Sequence, residues 1–181
     1  MLTCRLATPD DAPALAALMA LAIDRLQVGF LTPEQIAASK LVMGLDTQLI
    51  GDGTYFAVED AQHGRIVLAG CGGWSRRATL YGGDHWAARD AALLDPARDA
   101  ARVRAMYTHP DHVRRGVGRL ILARCEQAAA AEGFRTVELM ATMSGVPLYR
   151  ACGYTDIEPV ALTPPGGTVA VPLIKMGKAL G

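Results

Sequence analysis

A proline, three arginines and two glycines lie close together in residues 105–120, and their spacing suits the binding of a phosphorylated ligand. The segment reads Ala-Met-Tyr-Thr-His-Pro-Asp-His-Val-Arg-Arg-Gly-Val-Gly-Arg-Leu. It predicts a strand that ends at Pro110, a basic turn, and an amphipathic helix that begins at Gly118. Backbone N–H groups at a helix N-terminus, with arginines beside them, form an anion-binding site.

The same residues also fit a purely structural turn, with glycines for backbone geometry and arginines in water. Two common phosphate-binding motifs are excluded by the sequence. A P-loop needs a lysine after its second glycine, and no lysine occurs between Lys40 and Lys175. A dinucleotide-binding turn needs a third glycine in register, which this helix lacks.

Hydrophobic periodicity and capping residues predict the elements that position this turn. The predicted helices span about 9–27, 33–43, 118–132 and 144–151. The predicted strands span about 2–6, 54–58, 66–70, 102–108, 136–141, 154–160 and 169–176. A hairpin turn is expected at 60–64, and the unit 102–141 is a βαβ crossover with parallel strands. We therefore expect an α/β (α+β) domain with a mixed, mostly antiparallel sheet of six to seven strands and about four flanking helices.

Residues 75–100 show no clean period and are predicted to form a long loop with one helical turn. Loops of that length in small domains are more often functional than idle. We expect residues 1–181 to form a single domain in which this loop is an insertion.

Composition excludes several functional classes. Lysine plus arginine balances aspartate plus glutamate at 18 each, so no global field gathers nucleic acid or anionic membrane. The four cysteines are scattered without metal-like spacing, which favours a reducing cytoplasm and predicts no metal site. The apolar run 12–23 follows two aspartates and is too short for a membrane span, so we expect a cytoplasmic protein.

Two motifs resemble those of the GNAT superfamily of N-acetyltransferases. Pro110, Gly116 and Gly118 match its acyl-CoA-binding pattern P-x-x-[QR]-x-x-G-x-[GA], with Val113 where Gln or Arg is usual. Residues 148–154, Leu-Tyr-Arg-Ala-Cys-Gly-Tyr, match the pattern L-Y-x-x-x-G-[FY]. One helix and one strand separate the motifs, as in the family, and the order of elements agrees over the whole chain.

The resemblance implies an acetyl-CoA-dependent enzyme and names the residues that hold the donor. Main-chain groups of a bulged strand would pair with the pantetheine arm at Met106, Tyr107 and Thr108. The pyrophosphate would lie at the helix N-terminus, held by Arg114, Arg115, Gly116, Val117, Gly118 and Arg119. Thr142 stands where many relatives have an asparagine that contacts the cofactor arm, and Ser144 is an equal candidate.

The resemblance also implies a proton donor. Tyr149 matches the family's tyrosine near the thiol sulfur, where it would protonate the leaving thiolate as general acid. Alternatively, its ring only packs between sheet and helix. The strand before the turn carries no carboxylate, so the general base is open among Glu59, Asp84 and His85.

The favoured substrate is the amine of a small molecule, because the 75–100 loop could cover the site. The alternatives are acetylation of a protein N-terminus or lysine, and a non-catalytic acyl-CoA-binding module. A tRNA substrate is disfavoured by the neutral net charge. A homodimer through the apolar segment 169–174 is compatible with the sequence.

Overall fold

A mixed sheet with helices on both faces forms the frame of the molecule, in a computed structural model that describes residues 1–62 and 64–181. Its strands are β1 (Leu2–Leu6), β2 (Tyr55–Gln62), β3 (Arg65–Ser75), β4 (Ala101–Thr108), β5 (Thr136–Thr142), β6 (Thr155–Leu162) and β7 (Val171–Ala179). Its helices are α1 (Ala12–Leu26), α2 (Pro33–Ser39), α3 (Thr47–Gly51), α4 (Val117–Ala131) and α5 (Val146–Ala151).

The strand order is β1-β2-β3-β4-β5-β7-β6, and β4–β5 is the one parallel pair among the described strands. The expected mixed, mostly antiparallel sheet of six to seven strands is therefore confirmed, with seven strands. The parallel pair is the predicted βαβ unit, in which α4 connects β4 to β5.

Helix packing divides the core between the two faces of the sheet. On one face, Ile121 and Leu122 of α4 pack against Val103 and Val137. On the other face, α1 packs Leu15 and its neighbours against a cluster that includes Tyr55 and Tyr107. Side chains alternate along a strand, and residues four apart normally lie on the same face. Val103 and Tyr107 instead reach opposite layers because a bulge lies between them.

Two predicted boundaries are wrong at the β2–β3 hairpin. The strands extend to Gln62 and from Arg65, so most of the predicted 60–64 turn is strand, and His63 lies outside the described residues. β3 also continues five residues past its predicted end at Gly70, to Ser75. Glycine is disfavoured in strands, but here it is required: a Cβ at Gly72 would lie 2.7 Å from Met106 Cγ and 2.8 Å from Ile121 Cγ2.

The helices differ from the prediction in two places. α2 ends at Ser39 rather than near Gly44, and the short α3 was not predicted. α3 spans five residues, too few to show a helical period, and is capped by the Asp46 side chain, which accepts from the Gln48 amide at 3.1 Å.

Residues 76–100 form the predicted long loop with one helical turn, in which the Asp99 amide donates to the Asp95 carbonyl at 2.8 Å. They contain turns and one isolated antiparallel bridge between Arg77 and Leu93. Arg77 fixes the loop to the body through Asp52, whose carboxylate accepts two bonds at 2.7 and 2.9 Å. The loop is thus attached by charge pairs rather than by secondary structure.

The C-terminal strands bear on the predicted dimer. β7, which holds most of segment 169–174, lies between β5 and β6, so both of its edges are already paired. β6 is the outer strand, and its Ile157 is half exposed. A dimer built through the sheet edge at the C-terminal strands would use β6. Among the described residues, no helix combines the length and apolar character needed to cross a membrane.

Candidate active site

A cleft opens where β4 and β5 separate. The two strands pair only at Ala101–Val137 and Arg102–Glu138, and their later residues line opposite walls of a cavity of about 770 Å³. One side, which we call the turn side, is formed by residues 106–119 with 142–149. The other side, the chamber, is formed by lining residues from 22–44 and 80–82.

A β-bulge shapes the wall that β4 contributes. The register with β3 shifts by one residue between the pairs Cys71–Tyr107 and Gly73–Arg104, and Ala105 has a left-handed φ of 50°. This conformation costs a non-glycine residue about 1–2 kcal/mol. The Tyr55 hydroxyl donates to the Ala105 carbonyl at 2.7 Å and holds the bulge in place.

The turn before α4 presents backbone amides to the cleft. Arg114 and Gly116 both have left-handed φ values, 62° and 87°, and Gly116 is the N-cap. The first helical bond of α4 runs from Leu120 N to Gly116 O at 2.9 Å. The amides of residues 117–119 therefore have no partner within the helix, and such orphan donors bind anions.

Gly118 has a different role from Gly116. A Cβ at Gly118 would lie 2.6 Å from Leu148 Cδ2, whereas a Cβ at Gly116 would meet nothing within 4 Å. Gly118 is thus required for the close approach of α4 to α5, and Gly116 for the backbone turn. Both glycines line the cleft.

The three arginines of the turn have unequal positions. Arg114 and Arg119 line the cleft, and neither has an ion pair among the described residues. Two cations near a helix N-terminus oppose the helix dipole, an arrangement that an anionic ligand would stabilise. The Arg115 guanidinium does not line the cleft and lies 2.9 Å from the Asp60 carboxylate.

Asp60 anchors the turn from below. This 1% exposed carboxylate accepts from the Gln62 amide and the Met1 ammonium, and pairs with Arg115. The Gln62 and Met1 bonds, with the Arg115 charge, lower the pKa of Asp60 to about 2. His112 Nε2 lies 3.5 Å from the same carboxylate, so the His112 ring is buried at the cleft rather than solvated.

Tyr149 lies on the cleft wall at α5. Its side chain is 9% exposed, and its ring stacks edge-on against Tyr154 with centroids 5.8 Å apart. Burial, with a smaller contribution from Cys125 and Cys152, raises the pKa of Tyr149 well above its usual value, so the hydroxyl keeps its proton at neutral pH. The Thr142 and Ser144 hydroxyls lie 3.3 Å apart and line the same cleft.

The candidate bases are not brought to the cleft. Glu59 of β2 pairs with Arg5 of β1, and Asp84 accepts from the Thr47 amide at the start of α3. His85 is exposed, with its ring against Gly44. None of the three lines the cleft, and no aspartate or glutamate does so among the described residues.

A buried ion pair between β4 and the loop before α3 was not predicted. Arg104 and Asp46 are 2% and 0% exposed, and their N–O distance is 2.6 Å. Arg104 also donates to the Gly82 carbonyl at 2.6 Å, and Asp46 receives Arg89 at 2.6 Å. The pair therefore fixes the insertion to the wall of the cleft. The sequence signal that could have revealed this pair was Arg104 itself, an arginine between the apolar residues of β4.

The comparison with protein families agrees with this geometry. A model described as an acetyltransferase (GNAT) domain matches residues 51–156, more than half of the chain. The chain belongs to the GNAT acetyltransferase family. The match includes the bulged strand, the glycine turn and Tyr149, and makes the protein a GNAT N-acetyltransferase. A search of curated proteins found no match.

Solved GNAT structures share the fold at low identity. A GCN5-related N-acetyltransferase from Rhodopseudomonas palustris is 19% identical with a TM-score of 0.66, and the alignment covers 98% of this chain and 95% of that one. PaiA N-acetyltransferase from Thermoplasma acidophilum, in complex with coenzyme A, is 11% identical with a TM-score of 0.63, covering 99% of both chains. Spermidine N-acetyltransferase from Vibrio cholerae, in complex with CoA and spermine, is 16% identical with a TM-score of 0.60, covering 99% and 95%.

Proposed function

We propose that this GNAT protein transfers the acetyl group of acetyl-CoA to the amine of a small molecule, by direct attack within a ternary complex. The observation that carries the proposal is the single cleft in which the glycine turn, the bulged strand and Tyr149 meet. The turn side takes the donor and the chamber takes the amine.

The donor is held mostly by main-chain groups. Residues 116–118 offer amides to the pyrophosphate, and Arg114 and Arg119 add positive charge without competing carboxylates nearby. The strand 106–108 pairs with the pantetheine arm, and the hydroxyls of Thr142, at the end of β5, and Ser144, just after it, contact the arm. The Arg115 side chain supports the turn through Asp60 instead of reaching the phosphates.

The chemistry follows from placing the thioester between β4 and Tyr149. The amine nitrogen attacks the carbonyl carbon, a C–N bond forms, and the oxyanion is stabilised by an amide of the bulged strand. The C–S bond then breaks, and the Tyr149 hydroxyl protonates the leaving thiolate. The nitrogen loses one proton to solvent, and the Tyr149 phenolate takes one proton from solvent, so the products are the acetamide and free CoA.

A small molecule is favoured over a protein because of the insertion. Leu80, Tyr81 and Gly82 line the chamber, and the Arg104–Gly82 bond holds them over it. A polypeptide acceptor needs an open groove at that place. The chamber is thus suited to a compact amine.

Titration calorimetry with acetyl-CoA, followed by detection of free thiol with a panel of amines and peptides, tests the proposal. We expect micromolar donor binding and transfer to small amines. Transfer to peptides alone would support the protein-acetyltransferase alternative, and donor binding without transfer to any amine would support a non-catalytic module. Absence of donor binding at millimolar acetyl-CoA would reject the proposal altogether.

A further inference from the structure

The chamber has an apolar lining drawn from three separate segments. The last turns of α1, the segment that follows α1 and α2, and the insertion supply the side chains, among them Ile23, Leu26, Phe30, Val42, Met43 and Leu80. Phe30 is half exposed and lies at the mouth, while Val42 is buried inside. Such a surface favours an apolar ligand body.

The chamber also lacks a counter-charge for an ammonium group. No aspartate or glutamate lines it among the described residues, and Asp46, which pairs with the lining residue Arg104, is also paired with Arg89. Arg104 itself lines the cleft as a cation. A buried ammonium without a carboxylate partner is strongly disfavoured, so a ligand with a second positive charge would bind poorly.

Gln27, one of the residues that line the chamber, has a buried side-chain oxygen without a partner. Gln27 is 3% exposed and lines the cleft, and its Oε1 has no hydrogen bond among the described residues. The orientation of the amide is fixed by Ser39. The Ser39 hydroxyl donates to the Ile36 carbonyl at 2.8 Å, so it can only accept from Gln27, whose Nε2 lies 3.3 Å away. Oε1 is thus the end turned away from Ser39.

We propose that the substrate is a primary monoamine with an apolar body, bound as the free base, and that Gln27 Oε1 accepts a hydrogen bond from its N–H. This rests on the proposed acetyl transfer and specifies its substrate class. A buried carbonyl without a partner is costly, and an amine N–H removes that cost. The bond also leaves the nitrogen lone pair free to attack.

A matched pair of substrates tests the class. Hexylamine and 1,6-diaminohexane differ only at the far end, where the diamine carries a second ammonium. We expect kcat/KM for hexylamine to exceed that for the diamine about 100-fold, because the second charge has no partner. From propylamine to hexylamine, kcat/KM should rise about fourfold per methylene as apolar surface is buried.

The outcomes separate this proposal from the general one. Equal rates for the two hexyl compounds, or faster transfer to the diamine, would overturn the substrate class while leaving acetyl transfer intact. No transfer to any amine would instead overturn the proposed function.

Variants of Gln27 test its role. In Gln27→Met the side chain keeps its length but loses the carbonyl, and we expect KM for hexylamine to rise about two- to tenfold with kcat little changed. Gln27→Glu places a carboxylate against the reacting nitrogen, where it holds the amine as an unreactive ammonium, and we expect kcat/KM for hexylamine to fall at least tenfold. Gln127→Glu on the exposed face of α4 makes the same charge change away from the cleft and should alter neither KM nor kcat/KM. An unchanged KM in Gln27→Met together with an unchanged kcat/KM in Gln27→Glu would overturn the assignment.

Discussion

The two sides of the cleft are built in different ways. The turn side presents main-chain amides set by Gly116 and by the bulge at Ala105. The chamber presents side chains from segments far apart in the chain, held together by the Arg104–Asp46 pair. Backbone groups are common to every sequence that folds this way, whereas side chains vary freely. The proposed donor site thus follows from the fold, and the acceptor site from the individual sequence.

The largest expected effect lies where the two sides meet, at Tyr149. Tyr149→Phe removes the proposed proton donor and should lower kcat by about 10²–10⁴-fold, with the dissociation constant for CoA unchanged. Tyr154→Phe is the matched control, because its ring packs on Tyr149 but does not line the cleft. A Tyr149→Phe enzyme with full activity would remove this residue from the mechanism.

The next effect concerns the frame of the chamber. Arg104→Met leaves the Asp46 carboxylate buried with only Arg89 as a charged partner, and should lower the free energy of unfolding by about 3–5 kcal/mol. The double variant with Asp46→Leu should recover part of that loss, since no buried charge is left unpaired. Urea denaturation measures both. Equal stability of Arg104→Met and the native chain would mean that the pair does not hold the chamber.

These first two sites differ in how far the sequence could predict them. Tyr149 belongs to a local motif whose spacing is visible in one segment. The Arg104–Asp46 pair and the Gln27 carbonyl depend on which distant segments meet, and no periodicity contains that information. The order of elements along the chain and the glycine turn were predictable because apolar alternation and glycine positions are local. Gly72 in β3 was not, since its need comes from Met106 and Ile121.

On the turn side, Gly116 is the position most sensitive to backbone strain. Gly116→Ala places a Cβ on a residue with φ of 87° and should destabilise the turn by about 1–2 kcal/mol. The affinity for CoA should fall about five- to thirtyfold as a result. Gly116→Asn should weaken it less, because asparagine tolerates this conformation. Calorimetry with CoA measures both. Identical affinities of all three proteins would show that the turn does not need its left-handed residue.

A smaller effect separates the two neighbouring arginines. Arg114→Ala should weaken CoA binding more than Arg115→Ala does, because Arg114 lines the cleft and Arg115 is paired with Asp60. For half-exposed charges we expect a difference of about 0.2–1 kcal/mol, measured by calorimetry at low salt and reduced at high salt. A larger loss of CoA affinity in Arg115→Ala than in Arg114→Ala would indicate that the phosphates bind on the Asp60 side of the turn.

The last expected effect, the titration of Asp60, appears only in acid. Its pKa of about 2 in the folded protein lies below the value of about 3.9 for an unfolded aspartate. Its stabilising contribution is therefore complete above pH 4 and is lost as pH falls toward 2. Asp60→Asn should flatten the acid limb of a stability–pH curve, and an unchanged limb would show that Asp60 is not a strong anchor.

The hydrogen bond from Tyr55 to Ala105 has a consequence for how variation in this protein should be interpreted. Tyr55 is 1% exposed, belongs to the α1 layer of the core and does not line the cleft. It nonetheless holds the bend that orients the proposed donor strand. A screen for activity would therefore single out a residue that meets no substrate. Because the acceptor is the main-chain carbonyl of residue 105, exchange of Tyr55 would affect the bend whichever side chain follows at 105, and it would not correlate with the choice of amine.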